Sequence, residues 1–141
     1  MGLRSWIHSL TGPKRYSDSY YNSLNHVKLV LLVNNQLKMG KGKIAAQVGH
    51  ASVKAAMLAS EKHPAEMQAW LSSGQQKVVL KVQSLIELET IIELAKKSNL
   101  PTSIIRDAGK TQIAPNSLTV VGIGPALSEK IDELTKEFKL L

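Results

Sequence analysis

One junction constrains the fold of this chain more than any other: a short apolar run over 27–33 leads through a glycine- and lysine-rich segment into an alanine-rich stretch over 44–56. The apolar run is rich in valine and leucine and has the length of a buried strand. The alanine-rich stretch favours a helix. The segment 38–43 reads Lys-Met-Gly-Lys-Gly-Lys, and its two glycines allow a tight turn and the close approach of a ligand. The sequence therefore predicts a strand, a glycine loop over 38–42 and then a helix.

Positive charge is concentrated where that predicted helix begins. The first turn of a helix presents unpaired N–H groups and the positive end of the helix dipole. A cation there is disfavoured by roughly a few tenths of a kcal/mol, so Lys43 indicates a functional requirement rather than a contribution to stability. We predict an anion site at this loop, with phosphate as the favoured ligand.

Strand-like and helix-like segments alternate along the rest of the chain. We predict strands at 27–34, 77–82, 102–106 and 118–123, and helices at 43–61, at 65–72, after a capping box of Ser84 and Glu87, and from Ser128. The third and fourth strands are joined by a loop over 107–117 without a helix, so the sheet must be mixed. The predicted fold class is α/β: a single domain with a four-stranded mixed β-sheet and helices packed on both faces.

Composition narrows the classes of function. At 141 residues and 43% hydrophobic content, the chain suits one globular domain with a real core. It has no cysteine, which excludes disulfides, thiolate nucleophiles and cysteine–metal sites, and its four histidines lack metal-ligand spacing. We therefore expect no metal and no cofactor. No apolar stretch approaches the roughly 20 residues of a transmembrane segment.

The net charge of +7 is unevenly distributed. Residues 19–60 contain no acidic residue, yet they contain five lysines. Such a surface is either simply solvated or binds a polyanion such as nucleic acid. The chain has one Phe, two Trp and three Tyr, too few for extensive base stacking, so contacts to phosphates and to the shape of the nucleic acid are favoured.

Residues 1–26 differ from the remainder and are predicted to form a flexible or targeting-like N-terminal extension. The segment carries Arg4, Lys14 and Arg15 against Asp18 alone, a weak likeness to an organelle-targeting leader. Cytoplasmic location is expected, with mitochondrial association through residues 1–25 left open. A scaffold or signalling protein that uses this segment to reach a membrane or organelle is a further alternative.

Two groups of polar residues are candidates for a site. On the helix after the glycine loop, one face is predicted to carry Lys43, Gln47, His50 and Lys54, and the buried stripe beside it to carry Ile44, Val48, Ala51 and Ala55. The second group runs over 106–116, where Asp107 directly follows the third strand and is followed by Gly109, Lys110, Thr111 and Gln112. A simple Asx-turn would explain Asp107 and Gly109 but not the other three.

Both loops leave the carboxyl ends of predicted strands, where ligands bind in α/β sheets. We therefore expect them to converge and to bring an ammonium group and a carboxylate together. Other site templates fail, since the chain has no nucleophile elbow and no Walker A motif. Residues 40–45 match a dinucleotide fingerprint, but the acidic residue expected about twenty positions later is absent.

At these loops the chain resembles the archaeal and eukaryotic (type 2) peptidyl-tRNA hydrolases. The resemblance covers 27–141 and rests on residues 38–43, 45–48, 50–51, 107–112, Pro115 and 122–125 and on the final two leucines; Gly49, where the family usually has alanine, serine or a similar small residue, is a minor departure. It implies an enzyme that cleaves the ester joining peptide to tRNA, with a mixed sheet and helices on both sides. It also implies that 27–141 form the catalytic domain and that the catalytic residues are Lys43, Asp107 and Thr111.

With no cysteine and no serine–histidine arrangement, we expect direct attack by water. In this hypothesis Asp107 deprotonates the water, Thr111 positions it and Lys43 stabilises the oxyanion. The residues predicted to bind tRNA are Lys38, Lys41, Gln47, His50, Lys54, Lys110 and Gln112. The alternative is a non-catalytic basic module that binds RNA or a nucleotide phosphate. The sequence indicates no obligatory protein partner and leaves a homodimer open.

Overall fold

The computed structural model describes residues 24, 26–110 and 112–141. Its strands and helices in chain order are β1 (Val27–Asn34), a 3-10 turn (Asn35–Leu37), α1 (Lys41–Lys62), α2 (Pro64–Ser72), β2 (Lys77–Val82), α3 (Leu85–Lys97), β3 (Thr102–Arg106), β4 (Leu118–Leu127), α4 (Ser128–Thr135) and β5 (Lys139–Leu140). The bounds of β1, β2 and β3 are those predicted from the sequence. The extension predicted for 1–26 lies outside the described residues, except for Leu24 and His26.

The sheet has five strands in the order β3-β4-β1-β2-β5, so the predicted four-stranded sheet is wrong. The strand missed is β5, which pairs antiparallel with β2 through Lys139 and Leu140. Two residues are too few to show the alternation by which a strand is recognised in a sequence. The sheet is mixed, as predicted, because β1 and β2 are parallel whereas the other pairs are antiparallel.

Strand β4 continues to Leu127, beyond its predicted end at residue 123. The sequence Gly124-Pro125 looks like a break, because proline cannot donate to a sheet ladder. In the structure these two residues lie at a register shift, where the pairing with β1 moves between Lys28 and Val30. The irregularity accommodates the proline and lets the strand continue.

The sheet lies between two hydrophobic clusters that use alternate residues of β1. Val30 and Leu32 belong to one cluster, and Leu29, Leu31 and Val33 belong to the other. Alternate residues of a strand point to opposite faces of the sheet. The first cluster contains buried residues of α3 and α4, and the second contains buried residues of α1 and α2. Helix α3 begins with the predicted capping box of Ser84 and Glu87.

Strand direction explains how the two candidate loops meet. Both β1 and β3 pair antiparallel with β4, so β1 and β3 run in the same direction. Their carboxyl ends therefore lie at the same edge of the sheet. Helix α1 is tied to β3 by the buried Ser103, whose hydroxyl donates to the Ala51 carbonyl at 3.1 Å. None of the helices in the described part of the chain has the length and hydropathy of a membrane-spanning segment.

Candidate active site

The loop before α1 differs in detail from its prediction. Helix α1 begins at Lys41, so Lys43 lies in its first turn and Gly42 is helical rather than part of the loop. The left-handed residue of the turn is Lys38, with φ 48°, whereas Gly40 is extended, with φ −68°. A Cβ atom added at Gly40 or Gly42 would have no neighbour within 4 Å. The space beside these two glycines, at the N-terminus of the helix, is therefore open to an incoming group.

The two candidate loops meet through an ion pair. The Lys43 ammonium donates a hydrogen bond to Oδ1 of Asp107. The Asp107 side chain is completely buried, and that of Lys43 is 22% exposed. The other carboxylate oxygen, Oδ2, accepts from the Gly109 backbone N–H at 2.9 Å. The Asx-turn considered as an alternative is therefore present, and it coexists with the ion pair.

The backbone around Asp107 fixes the position of its carboxylate. Its N–H donates to the Ser117 carbonyl at 2.9 Å, and its own carbonyl accepts from the Asn116 N–H at the same distance. These bonds close the base of the loop where β3 ends and β4 begins. A buried carboxylate requires charged or hydrogen-bonding partners, and Lys43 and Gly109 supply them. The carboxylate in turn offsets the unfavourable position of Lys43 at a helix N-terminus.

A groove of about 920 Å³, here called the α1–β3 groove, runs from this ion pair along α1 and β3. Six of the predicted site residues line it: Lys43, Gln47, His50, Lys54, Asp107 and Lys110. Lys38, Lys41 and Gln112 are exposed but do not line the groove. Thr111 lies outside the described residues. The structure thus brings one basic face of α1 together with the loop after β3.

Gln47 lies beneath the groove rather than on an exposed stripe. The residue is 6% exposed, and the Thr119 hydroxyl lies 3.3 Å from its Oε1. The same hydroxyl lies 3.1 Å from the Ile105 carbonyl. Because a hydroxyl carries one proton, Thr119 donates to one of these acceptors at a time. The helical period placed Gln47 beside Lys43 correctly, but β3 and β4 cover this flank of the helix.

Lys54 is engaged with the protein itself. Its ammonium donates to the Ile104 carbonyl of β3 at 3.0 Å. Because β3 is one of the two edge strands of the sheet, this contact covers an outward-facing backbone group. Lys54 therefore helps to join α1 to β3, in addition to any contact with a ligand.

The predicted site residues do not include Arg106, Val53 or Met57, although all three line the α1–β3 groove. Arg106 precedes Asp107 directly, and its Nη1 donates to the Asn116 carbonyl at 3.2 Å. Val53 and Met57 are 62% and 66% exposed, although both are apolar. The available signal was their spacing, since Val53 lies three residues after His50 and Met57 lies four residues after Val53, on the same face of the helix.

Comparison with known proteins identifies the same family that the sequence resembles. The family model described as "Peptidyl-tRNA hydrolase PTH2" matches residues 27–141. A protein of Methanocaldococcus jannaschii named peptidyl-tRNA hydrolase is 50% identical over 115 residues, which cover 82% of this chain and 100% of that protein. A Drosophila melanogaster protein named "Probable peptidyl-tRNA hydrolase 2" is 47% identical over 126 residues, covering 89% of this chain and 68% of that protein.

Proposed function

The chain belongs to the peptidyl-tRNA hydrolase PTH2 family, and we propose that it hydrolyses the ester bond of peptidyl-tRNA, releasing the peptide and recycling the tRNA. The observation that carries this proposal is the contact between Lys43 and Asp107 at the end of an open groove. Ester hydrolysis needs an activated water, a cation or N–H group for the oxyanion, and a proton for the leaving oxygen. The pair offers a base and a cation within reach of one carbonyl group.

In the proposed mechanism, Asp107 takes a proton from water as the water oxygen attacks the ester carbonyl. Lys43 stabilises the negative charge that develops on the carbonyl oxygen. The bond between the carbonyl carbon and the ribose oxygen then breaks, and the proton held by Asp107 passes to that oxygen. Thr111, which follows Asp107 by four positions, is proposed to position the water.

The tRNA is proposed to lie at the N-terminal end of α1. Lys38 and Lys41 are exposed there, next to the first N–H groups of the helix, and both could reach phosphates. Lys110 lines the groove beside Asp107, and Gln112 is exposed on the same loop. Gln47, His50 and Lys54 line the groove beyond Lys43, and they are proposed to align the ester over the Lys43–Asp107 pair.

The proposal takes residues 27–141 as the catalytic domain and the cytoplasm as its location. Association with mitochondria through residues 1–25 is tested by comparing the cellular location of the full chain with that of 27–141. A homodimer is tested by sedimentation of the full chain, and a monomer at micromolar concentration would exclude it.

The competing function is a basic module that binds RNA without cleaving it. A buried carboxylate at the end of the groove argues against that function, because Asp107 would repel a phosphate placed beside Lys43. The deciding experiment is incubation with N-acetyl-aminoacyl-tRNA and with free aminoacyl-tRNA. Release of the N-acetylated amino acid alone supports the hydrolase, whereas binding of both without release supports the module.

A further inference from the structure

The far part of the α1–β3 groove carries aliphatic side chains that the proposed mechanism does not use. Val53 and Met57 lie one helical turn apart on α1, 62% and 66% exposed. Ile105 of β3 is half-buried, lines the same groove and packs on the face of the sheet that α1 covers. Single exposed apolar residues are common, but apolar side chains gathered in one groove indicate a surface that binds something. We refer to Val53 and Met57 as the apolar strip.

We propose that the apolar strip binds the peptide part of peptidyl-tRNA, an inference that rests on the proposed function. The strip and the Lys43–Asp107 pair line one continuous groove, so an ester held at the pair can extend its peptide along α1. At 1.5 Å of rise per residue, Val53 lies about 15 Å and Met57 about 21 Å beyond Lys43 along the helix. An extended peptide covers about 3.3 Å per residue. The strip therefore meets peptide residues roughly four to six positions from the ester.

The chemistry of the strip favours peptide over RNA. Nucleobases are bound by aromatic rings, arginine planes and hydrogen bonds, none of which aliphatic side chains provide. Two cations that line the groove, Lys54 and Arg106, already donate to backbone carbonyls. The exposed Lys38 and Lys41 lie before and at the start of α1, on the other side of the scissile bond. The charge distribution thus places the tRNA at the N-terminal end of α1 and the peptide along the groove in the opposite direction.

The residue types also suit a substrate whose peptide varies. Methionine is flexible and polarizable and is common on surfaces that bind many partners. The strip is open and aliphatic rather than a deep pocket. It therefore favours apolar peptide side chains in general without selecting one residue type. We expect hydrolysis to depend on the length and hydrophobicity of the peptide more than on its sequence.

The experiment compares three substrates: an N-acetyl-aminoacyl-tRNA, an N-acetyl-hexaglycyl-tRNA, and the hexapeptidyl analogue with leucine at the fourth to sixth residues from the ester. The variant is Val53→Ser combined with Met57→Ser, assayed in the full chain by kcat/KM. The matched control is Ile86→Ser on α3, an exposed aliphatic residue (76%) that lines a different groove. Because all three residues are exposed, the variants should unfold at denaturant concentrations close to that of the unaltered chain.

The double variant is expected to lose roughly tenfold in kcat/KM on the leucine-containing hexapeptide, with the other two substrates and the Ile86→Ser control unchanged. An equal loss on all three substrates would overturn the inference, because it would place the strip at the tRNA end. Unchanged rates on all three would also overturn it. If the unaltered chain hydrolyses none of them, the proposed function itself fails, and the inference fails with it.

Discussion

Lys43 donates a hydrogen bond to Asp107 across a separation of 64 positions in the chain. The two residues meet because β1 and β3 both run antiparallel to β4 and therefore end at the same edge of the sheet. A buried carboxylate and a partly exposed ammonium thus stand at the end of an open groove. The same contact has consequences for stability and for activity, and the two can be measured separately.

The effects on stability of replacing Lys43 and Asp107 are predicted to be strongly coupled. Lys43→Met leaves a buried carboxylate without its ammonium and should lower the free energy of unfolding by on the order of 2 kcal/mol. Asp107→Asn should also be destabilising, but the double variant should lose less than the sum of the two, because no unpaired charge remains. Denaturant unfolding of the four proteins measures this cycle. Simple additivity would show that the pair is energetically unimportant.

Binding of tRNA is predicted to weaken with salt through Lys38 and Lys41. Replacing either with alanine should weaken binding uniformly across tRNA species and reduce the slope of log affinity against log salt by about one. The matched control is Lys62→Ala, an exposed lysine at the opposite end of α1. Equal effects of Lys41→Ala and Lys62→Ala would mean that the N-terminal end of α1 is not the tRNA-binding surface.

Two glycines, Gly122 in β4 and Gly49 in α1, are predicted to respond oppositely to replacement by alanine. At Gly122 a Cβ would overlap Oγ of Ser103, the residue that ties β3 to α1, so Gly122→Ala should cost about 2 kcal/mol. At Gly49, inside α1, a Cβ meets no atom within 4 Å. Gly49→Ala should therefore raise the free energy of unfolding by about 0.5 to 1 kcal/mol. Thermal unfolding of both variants tests the packing, and a stable Gly122→Ala would contradict it.

The Ser84 hydroxyl, in the capping box of α3, is predicted to contribute more to stability than a serine hydroxyl that only donates within a helix. Ser84→Ala removes the acceptor for the Glu87 N–H and should cost about 1 kcal/mol. Ser60→Ala is the control, since Ser60 is an exposed residue of α1 whose hydroxyl only donates to the Ala56 carbonyl within the helix. That variant should be neutral or slightly stabilising in the same unfolding assay.

The parts of this fold that the sequence predicted correctly are those recorded in local patterns. Strands β1, β2 and β3 are bounded runs of apolar residues, and the capping box is visible as Ser84 followed by Glu87. The meeting of the two loops also follows from their positions after β1 and β3. The missed features depend on tertiary structure. The pairing that creates β5 and the irregularity that carries β4 past Pro125 both require a neighbouring strand.

In the candidate site, too, local patterns predicted some features, whereas others depend on tertiary structure. Helical spacing correctly gathered Lys43, Gln47, His50 and Lys54 along one groove. Periodicity cannot show that β3 and β4 bury Gln47, or that Lys54 donates to the Ile104 carbonyl. Nor could it separate Val53 and Met57 from core residues, because their exposure depends on which face of α1 packs on the sheet, and Ala51, Ala55 and Ala59 occupy that face.

The central claim is that Lys43 and Asp107 act together on the ester of peptidyl-tRNA. Its most direct test is single-turnover hydrolysis of N-acetyl-aminoacyl-tRNA by Asp107→Asn, measured at saturating enzyme beside the dissociation constant of the same complex. We predict a rate lower by roughly 10²- to 10⁴-fold with binding changed by less than about threefold, because a base is lost and the tRNA contacts are kept. An unchanged rate of hydrolysis would contradict it.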